Sequence, residues 1–116
     1  MAWKYFSEDE MRCRCGCGQS RMDGHFMDML DALRRAVGRP LPINSGYRCQ
    51  KHDAEENGGG NHTQGRAADI DCPDSSLRFL LISSALQLGF KRIGIAKTFI
   101  HVDLCSDKSQ QVIWLY

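Results

Sequence analysis

A chain of 116 residues has room for one hydrophobic core and not two, so a single domain spanning 1–116 is expected. Its 15 basic residues are offset by 14 acidic ones and are not clustered, which excludes a nucleic-acid binder driven by phosphate contacts; 42% hydrophobic and 25% charged residues are ordinary globular proportions. No apolar run reaches the length of a membrane span, and the opening MAWKYFSEDE lacks the apolar core of a secretory signal, so cytoplasmic synthesis is expected.

The aromatic opening at residues 3–6 is expected to pack over the core, and Ser7, Glu8, Asp9 and Glu10 read as a short helical turn with a serine cap and acidic first positions. A glycine-rich loop follows with Cys13, Cys15 and Cys17 in alternation, which is not the two-residue spacing of a zinc knuckle. The expected arrangement is a loop of small half-buried residues near Cys49, open to a disulfide under oxidising conditions; a second metal site with Cys49 as fourth ligand is the alternative. Over 25–37 the apolar positions Phe26, Met29, Leu30, Leu33, Ala36 and Val37 recur at helical spacing, with Gly38 and Pro40 as the stop.

Residues 41–44 form a short strand in which Pro42 marks an edge or a start, delivering Ser45-Gly46-Tyr47-Arg48. The polar, glycine-rich segment 49–61 is expected to be an irregular loop beside the site, with His52 solvated in it. After Pro73-Asp74-Ser75 a helix runs to Gly89 with Leu77, Leu80, Leu81, Ala85 and Leu88 as its buried stripe. Strands over 90–95, 99–104 and 112–116 complete an α+β domain, helices packed on a small, mainly antiparallel sheet. Cys72 and Cys105, each following an extended run, are expected near each other.

The chemistry concentrates in residues 60–71 and 99–103. His62 and Asp69 stand seven positions apart, with Gly65 letting the backbone turn before an extended run. Strand alternation puts Ala67, Asp69 and Asp71 on one face, and Phe99, His101 and Asp103 on one face. A sheet pairing the two runs would bring Asp69 and His101 within reach of one ion. Two imidazoles and a carboxylate are the mixed donor set of a catalytic zinc site, whose fourth position is left to water. Arg48 offers a fixed fork of donors for a carboxylate or an oxyanion, while Ser45 is expected to hold its turn.

Asn44-Ser45-Gly46-Tyr47-Arg48, His62-x-x-Gly65-x-Ala67-x-Asp69 and Phe99-Ile100-His101-Val102-Asp103, in that order, resemble the motif series of the zinc D-Ala-D-Ala carboxypeptidase family, the M15 peptidases, and especially its short phage-type and prophage-type members. The resemblance implies the hedgehog/DD-peptidase fold, a zinc ion on His62, Asp69 and His101, and Arg48 facing that ion to pair with substrate. It implies a hydrolase of peptidoglycan, either a D-Ala-D-Ala carboxypeptidase or an endolysin-type endopeptidase cutting stem or cross-bridge peptides. Action as a monomer is expected, and the lack of a secretory signal fits, by analogy, release to the wall by a phage-type lysis system. Many members carry an acid three residues before the last histidine ligand; here that position is Thr98, which cannot act as a base. Asp103 is the nearest acidic candidate, as catalytic base or as the support that orients His101, and Asp71 is a third possibility. The missing acid favours a competing reading, an inactive zinc-containing binding or phage structural module; Arg48 favours the enzyme.

Overall fold

In the computed structural model, which describes residues 3–116, the chain runs α1 (Glu8–Met11), α2 (Gly24–Val37), β1 (Ile43–Ser45), α3 (Gln50–Glu55), a 3₁₀ turn (His62–Gln64), β2 (Ala67–Asp71), α4 (Ser75–Leu88), β3 (Arg92–Ile95), β4 (Phe99–Asp103) and β5 (Val112–Leu115). Met1 and Ala2, the start of the segment read for a secretory signal, lie outside the described residues. Among those described, no helix is long and apolar enough to cross a membrane.

The strands form one sheet in the order β1-β2-β4-β3-β5, antiparallel throughout except for the parallel pair of β3 with β5. The fold is α+β, as expected, and β1 lies at the edge to which Pro42 pointed. Alternation divides the sheet into two working faces. Ala68, Ile70, Ile93, Ile100 and Val102 bury one face against Phe26, Leu30 and Leu33 of α2 and Leu81 and Ala85 of α4. Phe26 and Phe90 meet edge to face at 6.4 Å, and Phe6 closes the same core with Trp3 and Tyr5 packed outside it.

Side-chain caps start the helices, at Ser7 and Asp74 as the sequence reading expected and at Asp23 one residue ahead of it. Ser7 and Glu10 complete a reciprocal capping box on α1, the Asp23 carboxylate accepts from the Phe26 N–H, and Asp74 accepts from the Leu77 N–H. Gly38 and Gly89 end α2 and α4 in the left-handed region.

Four expectations are corrected. Segment 49–61 is not wholly irregular: Cys49 caps α3, whose one buried residue is Asp53, so no apolar stripe betrays the helix. His52 is half-buried on it, 3.8 Å from Glu55, rather than solvated in a loop. Leu88 is exposed at the end of α4, where Leu81, Ser84 and Ala85 form the buried stripe; Phe79 and Leu86 are exposed too, because the helix is apolar on more than one side. Cys72 and Cys105 sit at opposite ends of the β2–β4 ladder: the Cys72 N–H donates to the Thr98 carbonyl at one end, and the Leu104 N–H to that of Arg66 at the other. Antiparallel pairing sends the residues that follow two neighbouring strands in opposite directions.

Candidate metal centre

One row of residues crosses the second face of the sheet through all five strands: Ser45, Asp69, His101, Gly94 and Trp114, each paired in register with the next. Asp69 and His101 are direct cross-strand partners, as alternation and pairing anticipated. His62 reaches the row from the 3₁₀ turn, which ends at Gly65 with φ of 71°. A Cβ at Gly65 would stand 2.1 Å from the Arg21 carbonyl oxygen, so both the turn and the close approach require glycine.

Hydrogen bonds fix the ring orientations. His62 Nδ1 lies 2.7 Å from the Gly46 carbonyl oxygen, which can only accept, so Nδ1 carries a proton and turns Nε2 toward Asp69 Oδ1 at 3.5 Å. His101 Nδ1 lies 2.8 Å from the same Asp69 oxygen, while its Nε2 is 2.6 Å from Asp103 Oδ2. One donor atom each from His62, Asp69 and His101 falls within 4.8 Å of the others, and all three residues are buried. The set fits zinc: two imidazole nitrogens and a carboxylate oxygen converge, and each histidine has its second nitrogen held by an oxygen acceptor.

Burial pushes the His101 ring toward neutrality, but its hydrogen bonds to Asp103 and Asp69 outweigh this and raise its pKa above the ordinary 6.5. Burial likewise works against ionised Asp69, yet its bonds to His101 and His62 hold it well below the usual carboxylate range. Asp103 is held low against burial by His101, by the Cys105 N–H and by Arg92. Without a cation, the cluster balances its charges by keeping a proton on His101.

Asp103 is fully buried and every direction around it is occupied. Arg92 Nε donates to Oδ1 at 2.7 Å and the Cys105 N–H at 3.1 Å; Asn61 Nδ2 donates to Oδ2 at 3.3 Å, opposite His101. Asp71 lies on the same strand face as Asp69, half-buried, and no hydrogen bond to its carboxylate occurs among the described residues. Thr98 is exposed at the β3–β4 turn.

Arg48 arrives on the other flank. Its Nε donates to Ser45 Oγ at 3.1 Å, and its two terminal nitrogens reach Asp53 Oδ1 at 3.2 Å and Asp69 Oδ2 at 3.4 Å. Ser45, expected to hold its turn, ends β1 and accepts from the arginine. The structure brings Arg48, His62, Asp69, His101 and Asp103 together, and adds residues that sequence reasoning missed. Asp53 accepts from Arg48 and from the Gly60 N–H at 3.1 Å. Arg92 neutralises Asp103, and Trp114 lies 5.4 Å from the His101 ring with the Arg92 guanidinium 4.9 Å from its own. A charged residue at an inward position of the short run Arg92-Ile93-Gly94-Ile95 was the available signal for Arg92.

A search of curated proteins finds no match, whereas a family model described as Peptidase M15 matches residues 4–103, which include every residue of the centre except Trp114. The chain belongs to the M15 peptidase family, whose members are hydrolases and typically zinc-dependent.

Proposed function

We propose that the chain is a zinc metallopeptidase that hydrolyses peptide bonds of bacterial cell-wall peptidoglycan, at a terminal D-alanine or within the stem or cross-bridge. The observation that carries this reading is the convergence of one donor atom each from His62, Asp69 and His101 within 4.8 Å, with Arg48 on the flank of Asp69. Zinc bound there supplies a Lewis acid that polarises a carbonyl and acidifies water.

The remaining roles fall to the chain's own side chains. Arg48 is the group that binds a substrate carboxylate or steadies a developing oxyanion, and Ser45 and Asp53 aim it. Asp103 acts as the support of His101, because its two oxygens are already engaged by Arg92, Asn61, His101 and a backbone N–H. Asp71, about two residues or roughly 7 Å along the strand from Asp69, is the acid left free to accept a proton. On this reading the enzyme reaches the wall through a phage-type lysis system. The exposed Thr98, in a position where many members carry an acid, favours the second reading, a metal-holding module that binds wall peptides without cutting them.

The test is release of new amino groups from purified sacculi and synthetic stem peptides by the zinc-loaded chain. Wild type should release them, His62→Ala should lose both metal and activity, and Asp71→Asn should keep the metal while activity falls by about 10²-fold or more. Zinc binding without release from sacculi or peptide would leave the binding module; a chain that takes up no zinc at the centre would remove both readings.

A further inference from the structure

The proposed function leaves unused the loop Arg12-Cys13-Arg14-Cys15-Gly16-Cys17-Gly18. Folding brings it against Cys49. Cys13 Sγ lies 3.4 Å from Cys15 Sγ and 3.8 Å from Cys49 Sγ, and Cys15 Sγ lies 3.7 Å from Cys49 Sγ. Cys17 joins them, so that all four sulfurs fall within 4.8 Å of one another. Disulfide-bonded sulfurs would be about 2.05 Å apart. A tetrahedral ion with Zn–S bonds of about 2.3 Å would set its sulfurs about 3.8 Å apart. The three separations match the second geometry.

The surroundings serve sulfur as an acceptor. The Cys49 N–H donates to Cys13 Sγ at 3.4 Å, the His52 N–H to Cys49 Sγ at 3.4 Å, and the Gln19 side-chain amide to Cys17 Sγ at 3.6 Å. A thiol is a weak acceptor and a metal-bound thiolate a good one, so such donors are what a ligating sulfur requires around it.

The one-residue spacing finds its explanation in the backbone. Arg14 turns away from the sulfurs to donate to the Glu10 and Ile43 carbonyls at 2.7 and 3.0 Å, and Arg12 donates to the Gly18 carbonyl at 2.7 Å. The arginine side chains are thus taken up by backbone carbonyls while the sulfurs face one another, on a loop that turns at Arg14 and Cys15. Gly16 and Gly18, with φ of 90° and 83°, then reverse the chain through conformations that favour glycine and bring Cys17 back to the cluster. The loop is closed by the Cys13 N–H on the Gln19 carbonyl at 2.8 Å.

We propose that Cys13, Cys15, Cys17 and Cys49 bind a second metal ion, zinc, in a closed four-thiolate site that is structural and separate from the histidine–aspartate centre. Four soft donors in a tetrahedron select zinc among common divalent ions and leave no position for water or substrate. The two sites share no ligand. The ion clamps the 13–19 loop onto the residue that follows Arg48 and caps α3, the helix that carries Asp53. It thereby braces the substrate side of the centre from outside.

The full chain, purified under thiol reductant and stripped of metal, is reloaded with zinc or cobalt. Two zinc ions per chain are expected by elemental analysis, one for each donor group. The cobalt form should show thiolate-to-metal charge transfer in the near ultraviolet and intense tetrahedral d–d bands. His62→Ala should lose one ion and retain the charge-transfer band; Cys17→Ser should lose the band's full intensity while the histidine-centred ion stays. Wild type alone gives an independent readout: zinc should slow alkylation of exposed Cys15 and Cys17, and a chelator should restore it. A cobalt form without thiolate charge transfer, alkylation of Cys15 and Cys17 indifferent to zinc, or a disulfide among the four in the reduced preparation would each overturn the proposal.

Discussion

Asp103 has no exposure to solvent and yet stays ionised, because an arginine, a backbone N–H and an imidazole replace the water it has lost. Its partner His101 carries the matching charge in the absence of a cation. The sign of the resulting pH dependence follows from the directions of the shifts. His101, raised above 6.5, stabilises the metal-free fold fully below that pH, and the contribution is lost as pH rises through its folded value. Asp69 and Asp103, lowered from 3.8, contribute above that pH and cease to do so as pH falls through their folded values. The metal-free chain should therefore melt highest between 3.8 and 6.5 and lose stability on the alkaline side. Zinc should flatten that alkaline decline, since the ion takes the place of the His101 Nδ1 proton. Thermal melts across pH with and without zinc check this; an alkaline limb unchanged by the metal would contradict it. Asp103→Asn keeps the shape but offers His101 a neutral partner, and zinc affinity by competition with a chelator should fall about 10- to 100-fold.

At the scale of elements, β3 contributes to the centre mainly by what it lacks. A Cβ at Gly94 would stand 2.7 Å from the Trp114 ring, which packs on His101. Gly94→Ala should cost about 1–3 kcal/mol in denaturant unfolding and alter the near-ultraviolet circular dichroism as the indole is displaced. On the opposite face, Leu30 of α2 is fully buried, and Leu30→Ala should cost about 2–5 kcal/mol while leaving zinc stoichiometry at the centre unchanged. Helix α2 was legible in the sequence because an apolar repeat and a terminal glycine agree, and α4 because Pro73-Asp74-Ser75 and Gly89 bracket it, although apolar residues on more than one side of α4 misplaced its stripe at Leu88. Helix α3 was not, because its inward face is a single aspartate whose purpose, holding Arg48, exists only after folding. Asp53→Ala should loosen that arginine, so that wall-peptide hydrolysis falls with zinc content retained.

At the scale of the whole molecule, the donors were legible because each sits in a local pattern: a turn glycine before an extended run, and two strands whose alternation sets Asp69 and His101 on working faces. Strand direction is not encoded in those patterns, which is why Cys72 and Cys105 were placed together while the ladder holds them apart. The parts played by Arg92 and Trp114 depend on the parallel register of β3 with β5, a pairing that no local motif announces. The row from Ser45 to Trp114 has a consequence for how the protein matures. Asp69 and His101 are 32 positions apart in the chain, with α4 and β3 between them. During synthesis His62 and Asp69 leave the ribosome long before their partner, so the nascent polypeptide presents only a fragment of the ion's cage. On the proposed function, metal acquisition at this centre would be a late, all-or-none event that follows closure of the β2–β4 ladder, and zinc uptake by a refolding chain would time that closure directly.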